Sequence, residues 1–227
     1  METQDLKIEI LTKDPGEFDL SFKSLVIGDS GVGKSCLTLK ATKGSFEAEY
    51  SPTIGFEFMT FFVKINDTII KLQIWDTCGQ EVYRSLISSF YHNSSLALLV
   101  YAIDNDKSFN SLNSWLNEIR TNGNPDINIF LIGNKVDLEN SRQISKEQAQ
   151  KFVENNQIKL FLETSAKTGF NAQNVFVEAS KLLYQQHLKY KNRFSSPESL
   201  GNSTSATNNI DLETVEEESN KKRKKCC

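Results

Sequence analysis

Residues 28–35 read GDSGVGKS: Gly28, four residues, then Gly33, Lys34 and Ser35. The stretch before it, FKSLVI (22–27), is an apolar run that stops at Gly28, as a buried strand does. The stretch after it, KSCLTLKATK (34–43), reads as a helix closed by Gly44. A strand, a glycine-rich turn and a helix in that order make a phosphate cradle. Glycines let successive backbone N–H groups close around phosphate oxygens, and the helix N-terminus favours negative charge. The candidate phosphate-binding residues are therefore Asp29, Ser30, Gly31, Val32, Gly33, Lys34, Ser35 and Cys36. Lys34 supplies positive charge to the β- and γ-phosphates, and the Ser35 hydroxyl suits Mg²⁺.

Outward from this loop, apolar runs alternate with helical patterns. FEFMTFFVKI (56–65) and TIIKLQIWD (68–76) flank Asn66-Asp67 and predict a hairpin. LALLVYAI (96–103), a helix near 108–121, INIFLIG (127–133), a helix opened by Ser145, IKLFLET (158–164) and a helix near 172–189 follow. The alternation predicts an α/β fold: a six-stranded, mostly parallel sheet with one antiparallel strand and helices on both faces.

Composition brackets this core. The 227 residues are 38% hydrophobic and 24% charged, a globular profile. A net charge of −3 gives no field that would argue for nucleic acid. No apolar run approaches the ~18 residues of a membrane-spanning helix. The first residues carry no apolar secretion signal, and Glu2 stands where myristoylation needs glycine. Residues 1–20 read as a mobile extension, because LKIEIL (6–11) alternates only weakly before the turn signal Asp14-Pro15-Gly16. Residues 21–190 form the folded domain, and residues 191–227 a flexible tail, polar and then acidic before KKRKKCC (221–227). The cysteines, Cys36, Cys78, Cys226 and Cys227, lack metal-ligand spacing, and His92 and His187 do not complete a zinc site.

Base selection is read from NKVD (134–137), which follows the strand INIFLIG. A carboxylate offers two acceptors, and guanine presents two adjacent donors where adenine has an acceptor and a C–H. A site built around such a pair rejects the mismatched base by about 10⁴-fold or more. Asp137 therefore points to guanine over adenine. One strand later comes ETSAK (163–167), where the Ala166 amide can donate to the guanine carbonyl between Ser165 and Lys167.

In this order and spacing, the motifs resemble those of the Ras superfamily of small guanine-nucleotide-binding proteins, over roughly residues 20–190. The resemblance implies a P-loop small G domain that binds GTP and GDP with Mg²⁺ and hydrolyses GTP. It places Ser35, Thr53 and Asp76 at the metal and Gly79 at the γ-phosphate. Gln80 is the residue that orients the attacking water, so Gln80, Lys34 and Thr53 form the expected catalytic set. Phe46 and Lys135 flank the base, and Tyr50 and Asn134 join the nucleotide contacts. No arginine is an evident internal finger, and family members without one hydrolyse GTP at about 10⁻⁴ to 10⁻³ s⁻¹ unless stimulated.

Within the superfamily, IGFEF, KLQIWDT, QEVYRSL and LVYAID resemble Rab segments, and Cys226-Cys227 resembles a dual-prenyl ending. FYHNS (90–94) departs from the usual Rab YYRGA. The Rab resemblance implies effector contact through Ile54, Phe58, Trp75 and Phe90, and lipidation at Cys226 and Cys227. It also implies an exchange factor, a GTPase-activating protein, a GDP-dissociation inhibitor, an escort and prenyl transferase, and GTP-dependent effectors. A monomer is expected, with no nucleic-acid partner. It would be anchored on the cytoplasmic face of membranes, with a cytosolic GDP-bound pool. A scaffold that binds GTP but hardly turns over is the alternative.

One position in WDTCGQE (75–81) breaks the superfamily pattern: Cys78 stands where alanine is usual. A small apolar residue packed beside the phosphate loop is the plain reading. Crowding of Gly79 is the sharper one. A redox role is third, since no Lys, Arg or His lies within three residues to favour the thiolate.

Overall fold

The computed structural model describes residues 6–46, 53, 55–79 and 90–194. Tyr50, Ile54, Gln80, Cys226 and Cys227 lie outside the described residues, as do all of QEVYRSL (80–86) and the KKRKK run.

The described residues form one seven-stranded sheet in the order β1-β3-β4-β2-β5-β6-β7. Its strands are β1 (Ile8–Leu11), β2 (Leu20–Ile27), β3 (Phe56–Ile65), β4 (Thr68–Thr77), β5 (Leu96–Ala102), β6 (Asn128–Asn134) and β7 (Leu160–Glu163). β4, β2, β5, β6 and β7 are mutually parallel, and β3 runs against its neighbours β4 and β1. The single antiparallel strand of the sequence pattern is thus β3.

The helices are α1 (Lys34–Lys43), α2 (Asp106–Asn110), α3 (Leu112–Asn122), α4 (Lys146–Asn155) and α5 (Ala172–Phe194). Chain contacts divide the molecule into a first unit, residues 1–189, and a second, 190–227, of which the described part is the last helical residues, 190–194.

Two differences from the sequence reading have physical causes. Six strands and a mobile residue 1–20 arm are expected, yet Ile8–Leu11 adds a seventh strand, paired with Phe62–Ile65. Ile8 and Ile10 pack on the core layer that Val63 and Ile65 enter, so a weak alternation is enough once that edge exists. The single helix near 108–121 is two, α2 and α3, meeting at Ser111. There the Ser111 hydroxyl donates back to the Lys107 carbonyl at 3.0 Å, the local competition that serine offers helical backbone.

Other local signals become structure directly. Gly44 ends α1 with φ 70°, in the left-handed region that a glycine enters without strain. Ser145 caps α4 and forms a capping box with Gln148. Asn66, at φ 54°, turns the β3–β4 hairpin.

The sheet separates two core layers, and alternate residues of each central strand feed opposite layers. Val26 lies with Leu37 of α1 and Phe176 of α5 on one face. Leu25 and Ile27 lie with Trp115 of α3 and Val153 of α4 on the other. All seven β5 residues are buried, as a strand covered on both faces requires. Each such large side chain contributes about 1.5–3 kcal/mol of burial. No described helix is long and apolar enough to cross a membrane.

Candidate functional site

The carboxyl ends of four parallel strands converge on one cavity of about 470 Å³. Such ends are where an α/β sheet leaves room for a ligand. Gly28 follows β2, Asp76 to Gly79 end β4, Asn134 ends β6, and Ser165 to Lys167 follow β7. Residues far apart in sequence share the lining: Ser30, Gly33 and Lys34 on the loop, Thr53 and Gly79 beside it, Phe46, Lys135, Asp137 and Ala166 at the far end.

The loop's conformation explains its glycines. Gly33 has φ 90°, and a Cβ there would come within 2.5 Å of Asn134 Nδ2. Gly28 has φ 141°, and a Cβ would strike the Val100 carbonyl of β5 at 2.1 Å. Both positions therefore need glycine for space as well as dihedral freedom. Lys34 curls back, its Nζ donating to the carbonyls of Gly28 at 2.9 Å and Asp29 at 2.8 Å. Burial lowers its pKa, opposed by the nearby charges of Asp76 and Asp29.

At one side of the loop, three oxygens gather. Ser35 Oγ lies 2.7 Å from Thr53 Oγ1 and donates to Asp76 Oδ2. Asp76 is fully buried, and its Oδ1 has no hydrogen-bond partner among the described residues. Burial raises its pKa to about 7, opposed by the Ser35 bond and the Lys34 charge, and assisted by Glu57. Two hydroxyls and a buried carboxylate with an unused oxygen are a hard-oxygen set that fits Mg²⁺, which would return the charge balance that burial removes. Among the described residues no His, Cys, Asp and Glu group forms a softer metal site.

At the other end lie the residues expected to meet the base. Asp137 sits in a short 3₁₀ segment, Val136–Ser141, and its Oδ1 accepts from Ser165 Oγ at 2.5 Å. Lys135 enters it at φ 68°. Phe46 is 37% exposed and faces the same cavity. The Ala166 N–H donates to Asn134 Oδ1 at 3.3 Å. Asn134 is 1% exposed, does more than line the cavity, and is the hub of three segments.

Some placements differ from the motif reading. Val32 is wholly buried, and its carbonyl accepts from Asn134 Nδ2 at 2.9 Å. The Asp29 carboxylate turns out of the cavity and accepts from Trp115 Nε1 at 2.8 Å. Cys36 lines the cavity and Cys78 is 2% exposed, its N–H bonded to the Gly55 carbonyl at 3.0 Å. A Cβ at Gly79 would come within 2.3 Å of both the Asp29 carbonyl carbon and Ser30 N, so Gly79 rests directly on the phosphate loop.

Three contributors were not among the expected site residues. Leu138 lines the base pocket next to Asp137, Thr164 Oγ1 donates to Asn134 Oδ1 at 3.1 Å, and Trp115 holds Asp29. Thr164 lies inside ETSAK and so had a signal. Trp115 reads from its spacing only as a core position of a helix.

Near β3, Phe58, Trp75 and Phe90 form one aromatic cluster. Phe58 lies 5.2 Å and Phe90 5.0 Å from Trp75 between ring centroids. Phe56 joins it, 5.2 Å from Trp75 and 4.6 Å from Phe90. Phe56 and Phe58 are about half exposed, at 48% and 50%, and Lys23 Nζ lies over Trp75 at 5.3 Å.

Comparison with family models matches that of the Ras family over residues 23–185, well over half of the chain. The match spans the phosphate loop, the metal-type oxygens, the Asp137 end of the cavity, most of β2 and all of β3 to β7. A phosphate cradle at the end of β2, with a carboxylate-floored base pocket beyond β6, is the working part of that fold. The chain belongs to the Ras family of small GTPases, switches that bind GTP and GDP, typically with Mg²⁺, and hydrolyse GTP.

Proposed function

We propose that this GTPase is of the Rab branch and regulates membrane traffic, cycling between a GTP-bound, membrane-attached, effector-binding state and a GDP-bound state. The observation that carries this reading is the partly exposed aromatic cluster of Phe58 on β3, Trp75 on β4 and Phe90, close in sequence to Thr53 and Gly79. Large rings partly exposed together favour a protein partner, since aromatic residues dominate interface energetics. Trp75 shares β4 with Asp76, so the cluster is one residue from the metal-type oxygens. The Rab resemblance adds Ile54 to these effector contacts.

Each site residue then has a task. Backbone amides from Ser30 to Ser35 hold the β-phosphate side of the nucleotide, and Lys34 offsets its charge. Ser35, Thr53 and Asp76 would hold Mg²⁺, which supplies positive charge against the phosphate oxygens. Asp137 pairs the two guanine donors with Ser165 steadying it, while Phe46 and Lys135 cover the base. Gln80 orients the attacking water, with hydrolysis slow until a GTPase-activating protein assists. Loss of the γ-phosphate releases the segments around Thr53 and Gly79, and effectors leave.

The sequence KKRKKCC supports membrane attachment. One lipid chain binds marginally and two bind stably, and each basic residue adds roughly 1 kcal/mol at an anionic surface. An exchange factor, an escort with prenyl transferase and a GDP-dissociation inhibitor would complete the cycle. Fractionation and imaging of the tagged full chain test the reading. Cys226→Ser with Cys227→Ser is expected to move the protein from membranes to the cytosol with nucleotide binding intact. Membrane fractions that retain the double variant would overturn the lipid anchor.

A further inference from the structure

Asp29 follows the first glycine of the phosphate loop, yet it does not line the cavity, although Ser30 and Gly31 after it do. Its Oδ1 accepts a 2.8 Å hydrogen bond from Trp115 Nε1, a residue 86 positions away. Trp115 lies within α3, wholly buried in the core layer that Leu25 and Ile27 enter. An indole N–H can only donate, and donation to a carboxylate is stronger than a neutral bond. The bond therefore sets which way the Asp29 side chain faces.

The same stretch of loop makes the closest contacts of the site. The Asp29 carbonyl accepts from Lys34 Nζ at 2.8 Å. The Asp29–Ser30 peptide is the surface on which Gly79 rests. A negative side chain here is a hazard to a triphosphate, because like charges a few ångströms apart disfavour each other. Turned inward, the carboxylate is held by Trp115 and still lends its charge to Lys34. Released, it stands one residue from Ser30, which lines the cavity.

We propose that Trp115 is a positioning residue for GTP: by holding the Asp29 carboxylate out of the cavity, it removes a repulsion that would fall more heavily on GTP than on GDP. The inference rests on the cavity being the GTP site. GTP carries one phosphate more than GDP, on the Gly79 side, where the Asp29–Ser30 peptide lies. The bond is thus a determinant of nucleotide preference supplied by a helix that does not touch the nucleotide.

Equilibrium binding and release of fluorescent GTP and GDP analogues, measured on the full chain with Mg²⁺, test it. Trp115→Phe keeps an aromatic ring at the position and removes the donor. It is expected to weaken GTP binding about tenfold, as loss of a bond to a charged group does, and GDP binding by roughly threefold or less. Adding Asp29→Asn to Trp115→Phe removes the charge and is expected to return GTP binding to within roughly threefold of wild type. Equal loss for both nucleotides, or no recovery in the double variant, would mean that Trp115 serves packing alone and overturns the proposal. So would wild-type binding by Trp115→Phe. If that variant lacks helical circular dichroism, Asp29→Glu displaces the carboxylate from Trp115 with α3 unaltered. A GTP-selective loss is then expected, and unchanged preference overturns the idea. A wild-type chain that binds neither nucleotide would overturn the site reading itself, and this inference with it.

Discussion

The side-chain amide of Asn134 donates to the carbonyl oxygen of Val32 at 2.9 Å, joining the end of β6 to a loop 102 residues earlier. The same Nδ2 lies 3.3 Å from the Gly33 carbonyl, and Oδ1 accepts from Thr164 and Ala166. One buried amide therefore holds the phosphate loop, the end of β6 and the ETSAK loop in register, and the cavity's two ends keep a fixed separation.

Asn134→Ala would leave several of these groups without partners, each at a cost of about 1–3 kcal/mol. The expected outcome is a loss of at least about 2 kcal/mol of stability, a fall of roughly 4–8 °C in Tm for a domain of this size. Nucleotide affinity should fall more than tenfold. Thermal melting with equilibrium GDP binding checks both, and a variant with wild-type Tm and affinity would dismiss the latch.

Asp137→Asn tests base choice. Ser165 occupies Oδ1, so the other oxygen and the remaining lone pairs are available to the base. An amide would place a donor against the guanine donors, weakening GTP binding and favouring xanthosine nucleotides, which offer an acceptor there. Competition binding reads the switch. Unchanged GTP affinity would remove Asp137 from recognition.

Cys78→Ala separates the readings of that cysteine. The residue is 2% exposed, which protects its sulfur from oxidants in the folded chain. Only the sulfur is deleted, so stability should drop by about 1 kcal/mol or less. Single-turnover hydrolysis and GDP release are expected within roughly threefold of wild type, on the order of 0.7 kcal/mol of barrier. A larger change in either rate would instead mean that the sulfur crowds Gly79, which has no spare room against Asp29 and Ser30.

Ile8→Ser with Ile10→Ser tests the edge strand. Both side chains pack on the core through β1, which pairs with Phe62–Ile65, away from the nucleotide cavity. The pair should lower Tm by several degrees, about 1–3 kcal/mol, while GTP affinity stays within roughly twofold. Wild-type melting would mean that the strand adds no stability in solution.

The features legible in the chain are those written at short range. Gly28 to Ser35 carries its turn, charge and hydroxyl within eight residues. The Ser145 cap meets its partner at Gln148, and the hairpin turns on Asn66-Asp67. The buried strands announce themselves by unbroken apolar runs, since both faces of the sheet are covered. Asp137 and ETSAK stand out in the chain because recognising a base would need particular donors and acceptors, whatever holds them.

The rest depends on partners remote in the chain. Ile8–Leu11 is a strand only because β3 leaves an edge with an apolar face beside it. Phe56 belongs with Trp75 and Phe90 because adjacent strands and the segment after residue 89 meet there. The direction of the Asp29 carboxylate is set by an indole 86 residues away. Spacing along a chain encodes which face of an element a residue occupies. It does not encode which atom, brought up by another element, will meet it, because that is settled only when the layers pack and every buried polar group must find its partner.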